Sequence, residues 1–145
     1  MTRSKRIKAI HEIATREETL VAQKVSDKLF NLQSEELRLE QLANYLEEYR
    51  ELAASENDTV DIALVRSRRQ FVERLQVCVR HQQELVERLC DQLERQMEDW
   101  NQVRSKSMAI KRFGERAAEQ EHVTNGRREQ ATLDEIGRMQ FAAKT

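Results

Sequence analysis

Apolar residues recur along this chain at helical steps, not in alternation. From Ser4 to Ala54, Ile7, Ile10, Ala14, Val21 and Val25 form a stripe at steps of three, four and seven. A strict repeat of seven follows through Val25, Leu32, Leu39, Leu46 and Ala53, with Leu29, Leu42, Ala43 and Tyr49 as companions. A sustained seven-residue repeat marks a helix packed lengthwise on another helix. The step of four from Val21 to Val25, where three is due, predicts a stutter that locally relaxes a supercoil. The first helix is therefore expected over about 4–54, a rod of roughly 75 Å at about 1.5 Å per residue.

A second stripe starts near Val60 and keeps helical phase from Phe71, Val72 and Leu75 to Trp100, Val103, Ile110 and Phe113. It fades after Ala117 and Ala118 and predicts a helix over about 60–123. Thr124, Asn125 and Gly126 then read as a helix end or kink, since Asn and Gly tolerate the left-handed conformation that closes helices. Leu133, Ile136 and Met139 mark a last helical piece over about 127–141, with Thr132 to Glu135 either a capping box or helix interior.

Between the stripes, Ser55, Asn57, Asp58 and Thr59 are turn and helix-start residues. Asp61, three after Asp58, adds a two-carboxylate variant of the capping box. The first heptad, carried forward, would land on the polar Ser67, whereas the second stripe runs through Phe71, Leu75 and Leu85. A turn over 55–59 follows. The expected fold is all-α: one domain over 1–145, a monomeric antiparallel two-helix coiled-coil hairpin with a longer, overhanging second helix.

Folding back on that turn sets Leu46 against Phe71, Leu42 against Leu75, Leu32 against Leu85 and Val25 near Leu93, with Glu36 near Gln82. The expected seam is Val25, Leu32, Leu39, Leu42 and Leu46 on one helix with Phe71, Leu75, Leu85, Leu89, Leu93, Trp100 and Val103 on the other. Each buried Leu contributes roughly 1.5–3 kcal/mol, so a dozen such residues can hold an intramolecular pair. Beyond about Glu115 the second helix has no first-helix partner, yet it carries Leu133, Ile136 and Met139 on one face. An apolar stripe without an internal partner points to an external one.

Composition narrows the function. Of 145 residues, 35% are charged and 5% aromatic, with three Gly and no Pro. That is a long-helix composition, which buries a thin seam and leaves no deep pocket for catalysis. Glu-rich runs such as Ser34–Glu40 place carboxylates at helical spacing, where solvated ion pairing outweighs acid–base chemistry. No phosphate loop, zinc motif or nucleophile elbow occurs, so neither an enzyme nor a cofactor is expected. Cys78 and Cys90 lack metal or redox spacing and read as packed, reduced thiols; His11, His81 and His122 are scattered.

Net charge is −1, against general nucleic-acid binding, but Arg3, Lys5, Arg6 and Lys8 join Lys111, Arg112 and Arg116 at one end of the hairpin. A solvated, steering basic end is expected there. Tyr45 and Tyr49, one turn apart, read as seam packing before a docking patch. No apolar run reaches a membrane span and no secretory segment is seen, so a soluble, cytoplasmic protein is expected.

Five segments in order resemble the FliJ family of flagellar type III export proteins: TRSKRIKAIHEIATREE, LEQLANYLEEYR, RRQFVERLQVCVRHQQ, DWNQVRSKSMAIKRFGER and RREQATLDEIGRMQF. The resemblance spans nearly the whole chain. It implies a monomeric antiparallel coiled coil similar to the central stalk of rotary ATPases, binding the ring of the flagellar export ATPase and promoting its assembly. It also implies a link to the export-gate membrane protein, escort of export chaperones and peripheral placement at the membrane. Mapped here, the contacts to the ring would be Arg6, Ile7, Ile10, Arg112, Arg116, Arg127, Arg128, Leu133 and Ile136. Two other readings compete: a homodimeric scaffold built from one uninterrupted helix, and a basic adaptor for nucleic acid or membrane.

Overall fold

The computed structural model describes residues 2–55 and 61–144. They form two helices, α1 (Arg3–Ser55, 53 residues) and α2 (Ile62–Lys144, 83 residues). No strand occurs among the described residues. The helices pack against each other as an all-α antiparallel hairpin: Tyr49 near the end of α1 meets Phe71 near the start of α2, and Ser4 meets Glu121. This excludes one uninterrupted helix paired only with a second copy. Residues 56–59 of the expected turn lie outside the described residues; Ser55 closes α1.

Asp61 is itself the N-cap of α2. Its Oδ1 accepts from the Ala63 N–H at 3.2 Å, and its carbonyl accepts from Leu64 and Val65 at 3.0 and 3.2 Å. Its short carboxylate serves an orphan N–H directly after it; Asp58, the other carboxylate of the expected box, lies outside the described residues. At its far end α2 runs through Asn125 and Gly126 without a positive φ. The expected helix end at Thr124–Gly126, and with it the separate piece over 127–141, is replaced by continuous helix. A single Gly costs about 1 kcal/mol relative to Ala in a helix interior, too little to stop propagation into Arg127, Arg128, Glu129 and Gln130, the good helix formers that follow.

The chain divides into two units, Met1–Leu20 with Trp100–Thr145, and Val21–Asp99. In the second unit, Leu32, Leu46 and Leu75 are buried, while Val25, Leu39, Leu42, Leu89 and Leu93 are half-buried. Two helices shield a seam side chain from only some directions, so most of it keeps an exposed edge. Leu85 is half-buried beside Val86. Phe71 is 43% exposed and flanks the seam, its ring 4.7 Å from Tyr49; Val72 takes the row position.

Polar residues complete the row. Lys28, Glu35, Arg68, Gln82 and Gln96 are half-buried between apolar neighbours. Gln82 Nε2 donates to the Glu35 carbonyl at 2.9 Å and to Glu35 Oε2 at 2.6 Å, where Glu36 had been expected to lie; Glu36 is exposed. The expected stutter also disappears. Glu18 and Lys28 occupy row positions, so Ala14, Glu18, Val21, Val25, Lys28 and Leu32 step four, three, four, three and four along α1. Long side chains fill such positions with their methylenes while the charge reaches water, and an apolar count passes over them.

The first unit is packed differently. Its buried residues are Ile7, Ala14, Ser107 and Ala117. Gly114 joins them opposite Ile7: a Cβ added there would stand 3.0 Å from Ile7 Cγ2. Small residues bring the helices close where leucines would hold them apart. Trp100 and Val103 are half-buried here, and the Arg104 guanidinium lies over the Trp100 ring, 5.2 Å from its centroid.

Candidate docking end

All nine residues expected to touch a partner belong to the first unit, and they differ in exposure and in the grooves they line. Ile7 is 8% exposed, packed on Gly114, and lines the cleft beside it. Ile10, Arg6 and Arg112 are exposed. Arg116 and Arg127 line one shallow groove on α2 with Val123 between them. Arg128 and Leu133 line another, and Arg128 also shares a groove with Arg3.

The N-terminus of α1 is tied to α2 by a clasp that sequence reasoning missed. The Ser4 N–H donates to Glu121 Oε1 at 3.0 Å, and Ser4 Oγ donates to Glu121 Oε2 at 2.6 Å. The first N–H groups of a helix have no intrahelical acceptor, and the first turn of α1 holds no acidic residue of its own. Glu121 supplies the missing acceptor and the negative charge that the positive end of the helix dipole favours. The Ser4 hydroxyl, with the Ser4 N–H behind it, holds the Glu121 carboxyl below the usual glutamate range. Beside the clasp, the Arg3 guanidinium covers the exposed Phe113 ring, 5.0 Å from its centroid. The row Ser4, Ile7, His11, Ala14 on α1, carried with its polar members, would have flagged Ser4 as a contact position.

Past Glu121, every described residue of α2 is exposed. This bare stretch carries Leu133 at 62%, Ile136 at 45%, and the exposed Val123, Met139 and Phe141. Leu133, Ile136 and Met139 step by one turn along one face. The helix supports itself locally: Gln130 Nε2 donates to Asp134 at 3.0 Å and Thr132 Oγ1 to the Arg128 carbonyl at 2.9 Å. It thus presents an apolar stripe without α1 beneath it.

Among the described residues no group of three or more His, Cys, Asp and Glu is placed to hold a metal ion, and no helix is long and apolar enough to cross a membrane. Cys78 is exposed and Cys90 half-buried, both as free thiols.

Comparison with curated proteins and with solved structures returns no match. Comparison with protein families matches the flagellar FliJ protein over residues 4–145. The match takes in both helices, the Ser4–Glu121 clasp and the bare end of α2. The chain therefore belongs to the FliJ family and is a component of the flagellar type III export apparatus.

Proposed function

We propose that the first unit docks into the ring of the flagellar export ATPase, and that the chain, a monomer by itself, promotes assembly of the ring without chemistry of its own. The observation that carries this reading is the bare stretch of α2 beyond Glu121, with Leu133, Ile136, Met139 and Phe141 exposed along it. Apolar side chains on a helix without a covering partner suit insertion into a groove or ring lumen. Arg116, Arg127 and Arg128 flank the stripe and would steer the approach. A helical pair meets ring subunits unequally. It shifts the ring toward the state it binds best, by no more than the difference in its affinity for the two states.

The same reading makes the chain a link between the ATPase and the export-gate membrane protein and an escort for export chaperones, working peripherally at the cytoplasmic face of the membrane. Membership in an export-apparatus family supports these roles.

The test is co-purification with the cognate export ATPase, together with stimulation of its ATP hydrolysis. Full-length chain is compared with a truncation after Asn125 and with Leu133→Asp/Ile136→Asp. Both altered chains should lose binding and stimulation while keeping the helical signal of the hairpin. Undiminished stimulation by either rejects the bare end of α2 as the docking element.

A further inference from the structure

Beside the Ile7–Gly114 contact lies an open cleft of about 300 Å³. Its floor is aliphatic, made by Ile7, Ile110 and the exposed Ala118, and Gly114 lines it without a side chain. Its lips are cationic. Lys5 and Lys8 stand on the α1 side and Lys111 on the α2 side, against a single carboxylate, Glu115. Among the described residues the one ion pair within 4.0 Å joins Arg38 and Glu35, so none of these three ammonium groups is paired with a described carboxylate.

We propose that the cleft receives an acidic peptide segment of a partner protein. One aliphatic or aromatic side chain of that segment sits on the Ile7–Ile110–Ala118 floor. Asp or Glu residues flanking it meet Lys5, Lys8 and Lys111. An apolar anchor supplies affinity through desolvation, and surrounding charges of opposite sign fix orientation and reject the wrong partner. Nucleic acid fits less well, because strand binding needs open aromatic faces for base stacking. The cleft offers a single ring, the half-buried His11, and the neighbouring Phe113 ring has the Arg3 guanidinium over it.

The inference does not rest on the ATPase reading. Leu133 lies about 28 Å along α2 from Gly114, at about 1.5 Å per residue, so the cleft and the bare stripe are separate surfaces.

The experiment is a methyl-resolved NMR titration of the full-length chain. The probes are a short peptide with one Leu flanked on both sides by Glu, its Lys-flanked and Ser-anchored counterparts, and a short oligouridylate. The Glu-flanked peptide should shift the methyls of Ile7, Ile110 and Ala118, less so as salt is raised, and the counterparts should not. Lys8→Glu/Lys111→Glu should weaken binding about tenfold or more, a change of about 1.4 kcal/mol. Ala118→Trp, which puts a large ring into the cleft from an exposed lining position, should abolish binding with the helical signal unchanged. No shift with the Glu-flanked peptide, equal shifts with the Lys-flanked one, or a stronger response to oligouridylate overturns the proposal. None of these measurements involves the ATPase, so each reading can fail without the other.

Discussion

Gly114 and Gly126 lie in the same helix, and replacing each with Ala should have opposite consequences. At either position Ala removes a helix-interior Gly, a gain of about 1 kcal/mol from propensity alone. At Gly126 nothing lies within 4 Å of the added Cβ, so the gain should stand in full. At Gly114 the added Cβ meets Ile7 Cγ2 at 3.0 Å and Ile7 Cβ at 3.8 Å. The crowded atom is the branch of a β-branched residue, whose χ1 is nearly fixed within a helix. Ile7 is also buried, so relief must come from moving the helices apart. Overpacking of this kind costs about 1–3 kcal/mol, which leaves Gly114→Ala about 0–2 kcal/mol less stable on balance. The readout is amide exchange over residues 4–10 and 110–118, since opening in so long a helical pair is local. Protection there should fall in Gly114→Ala, while Gly126→Ala raises protection around its own site. Adding Ile7→Ala to Gly114→Ala should cost less than the two single changes together, because the clash leaves with the isoleucine. If Gly114→Ala protects its surroundings as well as Gly126→Ala does, the close approach of the helices at this level is wrong.

The clasp between Ser4 and Glu121 should respond to acid. Its folded-state carboxyl is held below the usual glutamate range, so its contribution is fully present above that range and disappears as pH falls through the lowered value. Glu121→Gln should therefore expose the amides of the first turn of α1 at neutral pH, and the difference from wild type should vanish in acid. A difference that persists there refutes the assignment. At the other unit, Gln82→Leu removes the donor to Glu35 Oε2 and the second donor to the Glu35 carbonyl, leaving Arg38 on Oε1 alone to serve the half-buried carboxylate. Thermal melting should report a loss of about 1–2 kcal/mol, recovered when Glu35→Leu is added, because a well-packed apolar pair replaces a polar one at little net loss.

The apolar periodicity alone was enough to show two long helices, their return on each other and a second helix too long for its partner. Leu32, Leu46 and Leu75 stand out because large aliphatic side chains at a repeat of seven can be buried only against another helix. Register was not legible in the same way. Val72 occupies the row and Phe71 flanks it, a shift of one residue that apolar content could not separate, since both side chains are apolar. Glu18, Lys28 and Glu35 hold seam positions that hydropathy assigns to solvent. The apparent stutter came from leaving them out, and their long stems are what allow a charged residue to line a seam. Gly126 looked like a helix end because its conformational freedom is a property of the residue alone, whereas continuation depends on a whole helix propagating past it. Gly114 carries no local signal at all. Its importance comes from Ile7, more than a hundred residues earlier, which only the packed hairpin sets against it. For the same reason the clasp of Ser4 with Glu121 and the cleft between Lys8 and Lys111 belong to the tertiary structure: hydrogen bonds and charge clusters need proximity in space, and periodicity along the chain reports only which side of each helix a residue occupies.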